Sequence, residues 1–190
     1  MDERQIRYTS ATQFRAGEED GTPYIEGYFA VYDSNYELWP GATESIARGA
    51  FDGQLSGDVR ALINHDTTLV TGRTKAGTLR LEDRQYGLWG HIDINPRDSD
   101  AMNVHARVLR GDVDQASFGF DILDEERINN PDGSVHWTIK AVKLYEVSVC
   151  TFPAYEATSL SARAKEHAQM DARRSLEKFK QTMKARIKKC

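Results

Sequence analysis

The sequence predicts a mainly β fold with a few short helices. In this α+β arrangement, antiparallel strands form a closed or nearly closed barrel, followed by a C-terminal helical tail. Three observations predict it. First, period-two alternation recurs in short runs. In Ser117-Phe118-Gly119-Phe120-Asp121-Ile122, Phe118, Phe120 and Ile122 take one face and Ser117, Gly119 and Asp121 the other. Second, turn clusters such as Glu18-Glu-Asp-Gly-Thr-Pro23 and Asn129-Asn-Pro-Asp-Gly133 separate these runs. Third, helical periodicity is confined to one body segment and the C-terminus, and a mostly antiparallel sheet avoids exposed edges by closing on itself.

The elements follow in order. Ile6 to Phe14 leans towards β, and Tyr24 to Tyr32 is a strand rich in aromatic and β-branched residues. Gly27 within it marks a bulge or the close approach of another backbone. Asp33 to Gly41 reads as a loop, and Thr43 to Phe51 as a short helix capped by Thr43 and limited by Gly49. Val59 to Asp66 reads as a strand that delivers His65 to its far end. Leu79–Leu81 and Leu88–Ile94 form two more strands, joined through Glu82–Gly87. Ala101, Val104, His105, Val108 and Leu109 recur at helical spacing, so Asp98–Arg110 is a helix, ended by Gly111. After the Ser117 stretch and the Asn129–Gly133 hairpin turn, Val135 to Thr151 is strand, stopped at Pro153.

The tail differs in kind. Residues 162–190 carry ten Lys/Arg against three Asp/Glu, a net charge of +7, and residues 1–161 carry 15 basic and 26 acidic residues, a net −11. Ala168, Ala172, Leu176, Phe179, Met183 and Ile187 form one apolar stripe on this basic segment. The stripe fits packing on the body, docking on a partner or self-association; nucleic-acid or membrane-surface binding is the remaining reading. The expected organisation is a β domain over 1–161 and a basic amphipathic tail over 162–190.

With 190 residues, 39% hydrophobic and 28% charged, the chain has the composition of a soluble domain with a core of its own. No apolar run approaches the roughly 18 residues of a membrane span, and Met1-Asp-Glu-Arg-Gln5 lacks the features of a signal peptide. The two cysteines, Cys150 and Cys190, cannot build a disulfide framework, so an intracellular setting is expected. Zinc-site spacing, a phosphate-binding glycine loop and a dinucleotide fingerprint are all missing, so neither metal nor cofactor is expected.

Ser117 is a candidate nucleophile, and Gly119 beside it would leave room for a substrate. A serine needs a base to activate it, and that base needs a partner to fix its tautomer. Of five histidines, His105 lies on the apolar face of a helix, His91 alternates within a strand, His136 follows a turn and His167 lies in the tail. His65, in Asn64-His65-Asp66 at the end of a hydrophobic strand, is placed to face a cleft. In Leu144-Tyr-Glu-Val-Ser-Val-Cys150, Glu146, Ser148 and Cys150 share one strand face. An acid there costs several kcal/mol of desolvation unless paired. His65 would be a suitable partner, and a water-facing edge is the other reading.

Four segments, in order and spacing, resemble the prohead maturation proteases of tailed bacteriophages. They are Glu26-Gly-Tyr-Phe-Ala-Val-Tyr32 with Pro40-Gly41 and Gly49-Ala-Phe51; Leu62-Ile-Asn-His-Asp66 with Thr71-Gly-Arg73; Gln115-Ala-Ser-Phe-Gly-Phe120; and Leu144 to Ala154. The resemblance covers roughly Tyr24 to Ala162. It implies a serine endopeptidase similar in fold to the herpesvirus assembly proteases, with Ser117 as nucleophile and His65 as general base. Glu146 is the best match for the third member, with Asp66 and Asp93 as competitors. Phe118 stands where a smaller aliphatic is usual, and Cys150 where an aliphatic often stands.

The resemblance further implies action inside the prohead in the host cytoplasm. The substrate would be the scaffolding portion of the major capsid protein, and cleavage of the enzyme itself is also expected. Portal or prohead-interior contacts and a homodimer or higher oligomer are compatible with it, and no nucleic-acid or membrane partner is expected. Two other readings stand beside it: a cysteine peptidase using Cys150, and a non-catalytic capsid-assembly scaffolding module.

Overall fold

The computed structural model describes residues 14–151, the backbone of residues 5–9 and scattered helical positions between 175 and 184. The tail reading over 162–190, with its apolar stripe and His167, lies almost wholly outside the described residues. The strands are β1 (Gln5–Thr9), β2 (Arg15–Glu19), β3 (Thr22–Val31), β4 (Tyr36–Trp39), β5 (Ala42–Ile46), β6 (Arg60–Ile63), β7 (Asp66–Arg73), β8 (Leu79–Arg84) and β9 (Gly87–Asp93). One helix, α1 (Ser99–Arg110), precedes the long strands β10 (Gln115–Asn129) and β11 (Val135–Cys150).

These strands form two sheets, one of seven strands and one of four. β11 is the spine of the larger. Along one edge it pairs antiparallel with β10, from Gln115↔Cys150 to Asn129↔Val135. Its other edge is divided between two parallel partners: β5 lies against Val135–Ile139, and β6 against Glu146–Val149. β1 extends the sheet beyond β10, β4 beyond β5 and β7 beyond β6. The smaller sheet runs β2-β3-β9-β8, antiparallel throughout.

A mainly β chain with few helices is what forms, but the closed or nearly closed barrel does not. No ladder joins the two sheets among the described residues. The edge of β11 that closure would need is taken by β5 and β6, two strands that alternation along a single run cannot assign to it. The expected helix over Thr43–Phe51 is also corrected. Ala42–Ile46 is strand β5, and turns follow it. So short a helix is marginal by itself, whereas pairing with β11 buries Glu44 and Ile46. The expected loop over Asp33–Gly41 contains β4, paired antiparallel with β5.

The helix expected over Asp98–Arg110 is α1, with Asp98 as its N-cap. The Asp98 carboxylate accepts from the backbone N–H groups of Asp100 (3.0 Å) and Ala101 (3.2 Å). Gly111, at φ +87°, closes its far end in the left-handed conformation. Ala101, Val104, His105 and Val108 face inward, but Leu109 is 63% exposed and leaves the stripe. Gly27 meets the expectation of a close backbone approach: a Cβ there would lie 3.0 Å from Phe14 Cα.

The core contains residues of both sheets and α1. Phe118 is at its centre, 1% exposed, edge-on to Phe51 (5.6 Å between ring centres) and stacked on Phe120 (4.7 Å). Phe118 is therefore absorbed by an aromatic cluster beneath the Ser117 strand.

On the four-stranded sheet, His91 is 5% exposed and lies between two acids. Glu26 Oε2 is 3.0 Å from its Nδ1, and Asp93 Oδ1 is 3.1 Å from its Nε2. Tyr24 stacks on the imidazole, and Arg15 donates to the other Glu26 oxygen. Burial pushes the Glu26 carboxyl up, but hydrogen bonds from His91 and Arg15 outweigh it and hold the group below the ordinary carboxylate range.

Two expectations follow for stability. Phe118→Ala should lower the unfolding free energy by about 3–5 kcal/mol in urea titrations, and Phe118→Leu by less, because most of the volume is kept. A lowered folded-state pKa stabilises above the ordinary carboxyl range and loses that stabilisation as pH falls through it. Glu26→Gln should therefore cost on the order of 1–3 kcal/mol near pH 7. The gap from the wild type should close as pH falls below the ordinary carboxylate range. A gap independent of pH would contradict this account of the Glu26 network.

Candidate active site

The site is assembled by the pairing of three strands. β11 lies between β10 and β6 and presents Glu146, Ser148 and Cys150 on one face. Across the antiparallel ladder, Ser117 is the register partner of Ser148, and Gly119 of Glu146. Directly paired antiparallel residues point to the same side of a sheet, so Ser117 shares the face of Glu146 and Ser148. On the parallel side, Ser148 pairs with Leu62 and Val149 with Ile63, which brings the end of β6 alongside. Ser117 and Ser148 are 0% exposed and Glu146 2%.

His65 reaches this face through a tight turn. β6 and β7 pair at Ile63↔Asp66, leaving only Asn64 and His65 between them, and both have positive φ, +50° and +62°. Two left-handed residues in a two-residue hairpin match a type I′ turn, which usually takes Asn-Gly. Histidine in the second place costs about 1–2 kcal/mol in backbone conformation. The cost is offset by hydrogen bonds to β11. Asn64 N–H donates to Val149 O (3.0 Å), Thr151 N–H to Asn64 Oδ1 (2.9 Å), and His65 N–H to Ser148 Oγ (3.2 Å). Non-glycine residues at positive φ, held there by hydrogen bonds from a neighbouring strand, mark this turn as a candidate for function.

The His65 ring then meets the acid. Its Nδ1 is 2.7 Å from Glu146 Oε1, and the other carboxylate oxygen accepts from Ser148 Oγ at 2.7 Å. A carboxylate at Oε1 can only accept, so the bond places the ring proton on Nδ1 and leaves a lone pair on Nε2, the form a general base requires. Gly119 serves a different purpose from the one expected of it. A Cβ at that position would overlap Glu146 Oε1 and lie 3.0 Å from Cδ, so the glycine makes room for the acid.

Cys150 Sγ lies 3.8 Å from His65 Nε2. Burial first, then the charge of Glu146, push its thiol up to about 12, with a small opposing contribution from the Asn64 backbone. Such a group is a neutral thiol at physiological pH, and the thiolate is the nucleophilic form. This disfavours the cysteine-peptidase reading.

The competing acids are engaged elsewhere. Asp66 is exposed and accepts from Thr68 N–H (2.8 Å) and Thr68 Oγ1 (2.7 Å), which holds its carboxyl below the usual range. Asp93 faces His91. The remaining described histidines are used structurally: His105 bonds Gly17 O at 3.0 Å, and His136 lies between Thr43 Oγ1 (2.8 Å) and Ser45 Oγ (3.0 Å). Sequence reasoning placed Ser148 on the right face but gave it no role. The signal available was the Glu-x-Ser alternation, which puts a hydroxyl beside the acid on one strand face.

The model of the caudovirus prohead serine protease family matches residues 10–173 of this chain. The prohead protease of Enterobacteria phage HK97 is 29% identical over 170 residues, an alignment that covers 85% of this chain and 66% of that protein's length. Among solved structures, the bacteriophage T4 capsid assembly protease aligns with a TM-score of 0.44 and 14% identity, over 78% of this chain and 98% of that one. That structural likeness is too slight to carry an argument; the family match rests on sequence and spans most of the chain. With the segments that hold Ser117, His65 and Glu146 all inside the matched range, this chain belongs to the caudovirus prohead serine protease family.

Proposed function

We propose that the chain is a serine endopeptidase that cleaves the scaffolding portion of the major capsid protein inside the prohead, and also cleaves itself. The observation that carries this reading is the 2.7 Å bond from His65 Nδ1 to the buried Glu146, two register positions from Ser117 along the ladder. Ser117 Oγ attacks the scissile carbonyl, and His65 Nε2 takes its proton. Glu146 stabilises the imidazolium so formed. The proton then passes to the leaving amine, the acyl-enzyme forms, and water attacks it by the same route in reverse. Because Ser117 is fully buried, the reaction requires a local opening that exposes its hydroxyl to the substrate.

The body over 1–161 carries this chemistry, and the basic segment over 162–190 serves as an attachment to the scaffold or shell during assembly. A scaffolding module without catalysis has no use for a histidine held in a strained turn against a buried acid. The geometry therefore favours the enzyme over that alternative.

Co-expression with the major capsid protein supplies the test. Wild type should produce a shortened capsid band, and Ser117→Ala and His65→Ala should each abolish it, with losses on the order of 10⁴–10⁶ in kcat. Processing that persists in Ser117→Ala would refute the serine mechanism.

A further inference from the structure

We propose that Ser148 is a positioning residue of this site, holding both the acid and the backbone of the base through one hydroxyl. The inference rests on the reading of Ser117, His65 and Glu146 as nucleophile, base and acid. Ser148 Oγ lies within hydrogen-bond distance of two groups whose roles are fixed by their chemistry. The His65 backbone N–H, at 3.2 Å, can only donate to it. The Glu146 carboxylate, at 2.7 Å from Oε2, can only accept from it. The hydroxyl proton is therefore committed to Glu146 and a lone pair to His65, and at 0% exposure no solvent competes for either.

These bonds close a ring. It runs from Glu146 Oε1 to His65 Nδ1, through the residue to its backbone N–H, on to Ser148 Oγ and back to Glu146 Oε2. The ring couples the rotation of the carboxylate to the left-handed turn that carries the imidazole, at φ +62°. Without the hydroxyl, Oε2 and the His65 N–H lose this shared partner in a buried place. The carboxylate is then free to turn about its last torsion, which is soft and broad in glutamate. The residue is also the register partner of Ser117 in the ladder, so it joins the Ser117 strand to the pair.

The test uses the full chain acting on the major capsid protein, with Ser117→Ala run in parallel. Ser148→Ala should lower kcat about 10²-fold, the scale of a small misplacement of reacting groups, with KM within about twofold. In ¹⁵N-labelled protein the His65 Nδ1–H proton resonance should move upfield or broaden, because it reports the bond to Glu146. Loss of packing alone would lower the unfolding midpoint and leave that resonance in place, an outcome that overturns the proposal. A kcat within about twofold of wild type overturns it as well. Should Ser148→Ala not fold, Ser148→Cys keeps the volume with only a weak S–H donor and is read by the same two measurements. Cleavage surviving in Ser117→Ala refutes the serine mechanism itself. Near-normal Ser148→Ala beside an inactive Ser117→Ala refutes only the role given to Ser148.

Discussion

A carboxylate that is 2% exposed, as Glu146 is, imposes conditions on everything near it. Left unpaired, its burial would cost several kcal/mol, so each oxygen must find a donor. One is supplied by the His65 ring and the other by Ser148. Space for the carboxylate comes from the missing side chain of Gly119 on the neighbouring strand. The acid thus accounts for a glycine on β10, a serine on its own strand β11 and the orientation of a histidine in the turn after β6. Removing any one of these leaves a buried charge poorly satisfied or badly fitted.

The same economy runs through β11. Its Cys150 end meets β10 on one side and β6 on the other, so a single strand fixes the distance from the Ser117 strand to the His65 turn. The turn itself is unfavourable in isolation, with an asparagine and a histidine at positive φ. It is held by three hydrogen bonds to residues 148–151 of the same strand and the residue after it. The aromatic cluster of Phe51, Phe118 and Phe120 packs the opposite face and keeps the Ser117 strand in register.

Much of this was legible before the fold was known, because it depends on local period. Alternation put Phe118 and Phe120 opposite Ser117 and Gly119, and helical spacing with Gly111 gave α1. The missed features were non-local. The parallel pairing of β5 and β6 with β11 leaves no mark in either run, and for that reason Thr43–Phe51 read as helix and the sheet as a closed or nearly closed barrel. The role of Gly119 was misread because the volume it vacates is filled from the adjacent strand. Asn64-His65 was seen as the end of a strand, although the short polar step before β7 was itself the sign of a tight hairpin.

Glu146→Gln tests the central claim most directly, since it keeps the shape of the side chain while removing the charge behind the imidazolium and one of the two accepting oxygens. Measured on the major capsid protein at neutral pH, kcat should fall by about 10²–10⁴-fold with the protein still folded. A variant that processes at the wild-type rate would show that His65 works without this acid, and would contradict the account.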